Sequence, residues 1–100
     1  MTAANAELTI LETVLNDVRA GVQEELDFQN GKGWNHKGLT LEDMGGELFL
    51  FAVHNLEGLN ELSAPFRMMM GSYIVISKLY GAENIDAVGD YEWDTSALDL

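Results

Sequence analysis

The chain has no cysteine, a single proline, and only five lysine and arginine residues against seventeen aspartate and glutamate. Without cysteine there is no disulfide framework, thiol catalysis or thiolate metal site. The shortage of cations leaves a net charge of -12. That balance disfavours direct contact with nucleic-acid phosphates or anionic membranes, both of which need clustered Lys and Arg, and it favours a basic protein partner. The N-terminal residues lack the basic start and apolar run of a signal peptide, and Glu7 and Glu12 argue against a transit peptide. No charge-free apolar run reaches the roughly 20 residues that a membrane span needs. The expectation is a cytoplasmic protein that does not enter a membrane.

Catalytic signatures are missing as well. Gly31-Lys32-Gly33 falls short of a phosphate loop, which needs a longer glycine frame ending in Lys-Ser or Lys-Thr at a helix start. Acid, base and nucleophile candidates do not gather in any one segment, so the sequence reads as a non-enzyme with no cofactor. Glu47, His54, Glu57 and Glu61 would share one face of a helix. Di-iron bundles, however, use a repeated Glu-x-x-His on paired helices, and here a single His-x-x-Glu runs in the reverse order, so no metal is expected.

What the chain does have is an apolar centre between Leu39 and Gly81. Thr40-Leu41-Glu42-Asp43 places a hydroxyl at a helix N-cap and a carboxylate at the third helical position, which predicts a helix over 41–62. Its apolar face holds Met44, Leu48, Phe49, Ala52, Val53 and Leu56. Gly45, Gly46 and Gly58 in this helix suggest close approach by a neighbour. Ser63-Ala64-Pro65 then restarts the chain with a cap and a first-turn proline, predicting a second helix over 64–80 and a helical hairpin. In an antiparallel hairpin Arg67 comes opposite Glu61 and Lys78 falls near Glu47. The alternative makes Tyr73-Ile74-Val75-Ile76 a buried strand in an α+β fold, since so short a β-branched run is ambiguous by periodicity.

Residues 6–28 carry an amphipathic stripe, Leu8, Leu11, Leu15, Val18, Val22 and Leu26, with Asn5 as cap, and the stripe is expected to pack on the core. Residues 29–38 read as a glycine-rich loop holding Lys32, Trp34, His36 and Lys37, a local excess of positive charge. Residues 82–88 read as one or two helical turns closed by Gly89. The fold class is therefore all-α, a small three- to four-helix domain over 1–89 built on the central hairpin. Residues 90–100 form a separate acidic and aromatic tail, which either docks on a partner or folds back on the domain through Tyr91 and Trp93.

The functional expectation is an acidic interaction protein that blocks or recruits a basic, nucleic-acid-binding partner through Glu47, Glu57, Glu61, Asp90, Tyr91, Glu92, Trp93 and Asp94. In size and charge it has the character of inhibitors that bacteriophages direct at host defence or transcription proteins, and of nucleic-acid mimics generally. The rival is a small ligand-binding protein with a pocket between helix 64–80 and loop 29–38. The segment from Phe66 to Tyr80 is apolar almost all round, which predicts a homodimer through Met68, Val75 and Leu79.

Overall fold

The computed structural model describes residues 3–100, with side chains from Asn5 onward apart from that of Asp86. Its elements are α1 (Ala3–Lys32), α2 (Leu41–His54), α3 (Leu56–Glu61), α4 (Ala64–Tyr80) and a 3-10 segment (Ala82–Ala87), followed by an extended C-terminal stretch. The fold is all-α. Tyr73–Ile76 lies within α4, so the strand alternative does not apply.

Helix α1 is the axis of the molecule. It begins before Asn5, which sits inside the first turns and offers its carbonyl to the Thr9 hydroxyl instead of capping the helix. It also runs past position 28 to Lys32, with Gln29 buried and bonded to Glu25 and to the Tyr80 hydroxyl. Val14, Val18, Val22 and Leu26 are fully buried, so the apolar stripe packs on the core as its spacing implies.

The principal partner of α1 is α4, whereas the sequence pointed to a hairpin of α2 against α4. Arg67 bonds Asp17, Ser72 bonds the Gly21 carbonyl and Tyr80 bonds Gln29, at sequence offsets of 50, 51 and 51, so the two helices run parallel in constant register. They touch backbone to backbone. A Cβ on Gly21 would sink into the Met68 carbonyl, and one on Gly71 into the Val18 carbonyl. Close contact needs a residue without a side chain at both positions. This contact also buries Val75 and Leu79 inside the protomer, which removes them as dimer contacts; of the three residues expected at a dimer interface only Met68 remains partly exposed.

Thr40 caps α2 as expected, its hydroxyl accepting the Asp43 N–H at 3.1 Å. Lys78 reaches Glu47 at 2.7 Å, as the antiparallel placement of α2 and α4 predicts. Arg67 pairs with Asp17 at 2.8 Å and donates to the Leu59 and Leu62 carbonyls, where Glu61 had been expected. Ser63 makes no side-chain cap bond, and α4 starts on Pro65 alone. Among the described residues no helix is long and apolar enough to cross a membrane.

The predicted helix over 41–62 is broken at Asn55. The fully buried Asn55 amide donates to the Phe51 carbonyl and to the Asp94 carbonyl, and its oxygen accepts the Asp94 N–H at 2.8 Å. An asparagine side chain that satisfies backbone groups in this way offers an alternative to the helix ladder, and α3 restarts beyond it. Residues 90–100 lie on the helical core. Trp93 is 6% exposed, stacks on Phe51 at 6.1 Å and donates its indole N–H to Val88, while Leu98 is buried and the Asp99 carbonyl accepts from Lys78. Gly58 receives the Tyr91 ring, which a Cβ there would meet at 2.7 Å. Around Gly46 nothing lies close, so only one of the glycines flagged in 41–62 marks such an approach.

Candidate functional site

The acidic residues expected at a partner surface do not share one helix, because the break at Asn55 divides α2 from α3. Glu47 is taken up by Lys78. His54 leaves the stripe for Asp94, 3.7 Å away across the closing segment. Trp93 belongs to the core, and only its edge reaches the floor of a cleft between α3 and the closing segment.

The remaining residues converge. Glu61 of α3 and Asp90 of the closing segment line one open cleft of about 450 Å³, whose other walls include Gly58, Leu62, Val88 and the half-buried Tyr91. Glu57 lies on the preceding turn of α3, and Glu92 is exposed beside Tyr91. Among the described residues, none of these four carboxylates is ion-paired. Asp94 follows in the closing segment, outside the cleft lining, and its carboxyl is held below the usual value of 3.8 by hydrogen bonds from the Ser96 hydroxyl and the Ser96 N–H, with His54 contributing. The ring of Tyr91 meets Trp93 at 4.7 Å, so the cleft wall rests on the core. Sequence reasoning had named Glu61 and Asp90 separately. Their meeting depends on the Asn55 to Asp94 bonds and the glycine at 58, and only the asparagine and glycine themselves were visible as signals.

The loop candidates gather at the other end of α1. Trp34 meets Phe28 edge-on at 5.9 Å, and Lys32 stands over the Phe28 ring at 5.8 Å. His36 lies 6.4 Å from the ring of Tyr80, and Lys37 donates to the Lys78 carbonyl. The His36 and Lys37 contacts tie the loop to the end of α4. Among the described residues no group of three or more His, Asp or Glu is arranged to hold a metal ion. Comparison with protein-family models, with curated proteins and with solved structures finds no match.

Proposed function

We propose that the protein is a non-enzymatic acidic interaction protein whose cleft at α3 takes cationic side chains of a basic partner, which it thereby blocks or recruits. The observation that carries this reading is the placement of Glu61 and Asp90, 29 positions apart in the sequence, in the walls of one cleft beside Tyr91, with no paired cation among the described residues. A guanidinium entering there would gain two carboxylates and an aromatic face. Charge-assisted bonds and cation–π contact make this chemistry suited to Arg. A partner rich in such residues is typically one that binds nucleic acid, and an inhibitor of the kind bacteriophages direct at host proteins would use the surface in this way.

Immobilised protein incubated with a bacterial lysate, washed at low salt and eluted at high salt, tests the reading. Basic proteins should elute, and the double substitution Glu61→Gln with Asp90→Asn should lose them. Retention of the same proteins by the double variant would contradict the assignment.

A further inference from the structure

A second surface lies on the other side of α3. Helix α2 turns Phe49 and Val53 outward, 47% and 42% exposed, although their spacing with Leu48 and Ala52 reads as core. Beside them the first turns of α1 present Leu8, 52% exposed, and half-buried Leu11. Leu8, Leu11, Val53 and Leu56 line, with Glu7, a groove of about 270 Å³ between α1 and the junction of α2 with α3, and exposed Phe49 lies one turn before Val53, outside the lining.

We infer that this groove docks an amphipathic α-helix with basic flanks, contributed by a partner protein. A helix laid between two others completes a three-helix layer, and its i, i+3, i+4 and i+7 side chains match a furrow whose apolar residues recur at helical spacing on both walls. From Glu7 to Leu11 the α1 wall extends about 6 Å at about 1.5 Å per residue, about one turn of a bound helix.

Charge selects the occupant. Glu7 stands in the lining, and Glu12 follows on the next turn of α1. Arg19 lies about 12 Å beyond Leu11 along α1, and Lys32 and Lys37 lie towards its far end, about 36 Å from Leu8 along a helix rising about 1.5 Å per residue. A second copy meeting this groove with its own would set Glu7 and Glu12 of each chain against those of the other and join two chains of net charge -12. Flanking Lys and Arg would instead find Glu7 and Glu12 along the α1 rim, so a basic helix fits where a second copy does not.

The inference rests on the proposed preference for basic partners, and it adds a place and a shape. Amide chemical shifts of the full chain, followed during titration with an amphipathic Lys/Leu helical peptide of about 18 residues, test it. Peptides of equal charge with scrambled order serve as controls. Shifts should centre on Leu8, Leu11, Val53 and Leu56, the scrambled peptide should bind at least about tenfold more weakly, and Val53→Asp should cost about tenfold while Glu24→Gln, which removes the same charge as a loss of Glu7 but outside both sites, costs little. Shifts centred on Glu61, Asp90 and Tyr91 would overturn the groove assignment and leave the cleft reading intact. Failure of every basic peptide to bind would overturn both. Shifts at the groove that grow with protein concentration in the absence of peptide would assign it to a second copy and overturn the inference.

Discussion

At the C-terminal end of α1 the local cations are already engaged, Lys32 over Phe28 and Lys37 on the Lys78 carbonyl. At the other end of the molecule, where α2, α3 and the closing segment meet, Glu57, Glu61, Asp90 and Glu92 face solvent or an open cleft with no ion pair among the described residues. One end satisfies its charges internally, and the other leaves like charges side by side. Carboxylates gathered in this way repel one another and gain from a cationic ligand, so the acidic end is the one with unspent binding energy. Each end also carries one tryptophan, exposed Trp34 at the first and buried Trp93 at the second.

The shared axis is the place where the comparison breaks most completely. Gly71→Ala or Gly21→Ala drives a methyl into the backbone of the facing helix, and about 3 kcal/mol or more should be lost because neither backbone can move without parting α1 from α4. Thermal unfolding followed by circular dichroism checks this, and both ends should loosen together. Asn55→Ala should act on the acidic end alone. It leaves the Asp94 N–H and carbonyl without their partner and should cost about 2–3 kcal/mol. Fluorescence reads it directly: with Trp34→Phe in the background, emission from Trp93 should move to the red in the Asn55 variant, while Trp34 in a Trp93→Phe background should be unchanged.

Acid should produce a smaller change at the same end. The Asp94 carboxyl is depressed, first by the Ser96 hydroxyl, so the stability it contributes is complete above its ordinary value of 3.8 and is lost as the pH falls through the depressed value below that. In a carboxyl NMR titration Asp94 should titrate below 3.8, and in Ser96→Ala its midpoint should rise towards that value. The smallest effect is expected in the core of α4, where the Ser77 hydroxyl is buried without a hydrogen-bond partner among the described residues. Ser77→Ala removes an unsatisfied group and should be neutral or stabilising by up to about 1 kcal/mol, in denaturant melts, with both ends unaffected.

The sequence made the helices visible where local chemistry sets them. Thr40 announced α2, Pro65 announced α4, and the opposite charges of Glu47 and Lys78 announced their antiparallel placement. It concealed features that depend on residues distant in the chain. Asn55 reads as one more polar position on a helix until Asp94 arrives to take its amide. Gly21 and Gly71 look like weak points in two helices until the helices are laid side by side, when they become the contact. Trp93 sits among four acids of the last eleven residues, a pattern that resembles a solvated tail, yet the stacking surface of Phe51 and the Val88 carbonyl draw it inside. The candidate cleft was half visible for the same reason: its residues could be named, but their meeting follows from the Asn55 clamp.

The central claim is that the unpaired carboxylates of the acidic end bind a basic partner. Its most direct test is the affinity of the full chain for an arginine-rich peptide, measured by calorimetry at several salt concentrations for the wild type and for the Glu61→Gln, Asp90→Asn variant. Exposed charges are screened over about 8 Å at about 0.15 M salt, so wild-type affinity should fall about tenfold or more between about 0.05 and about 0.2 M. The variant should bind more weakly and lose much of that salt dependence. Equal affinity and equal salt dependence in the two proteins would contradict the account.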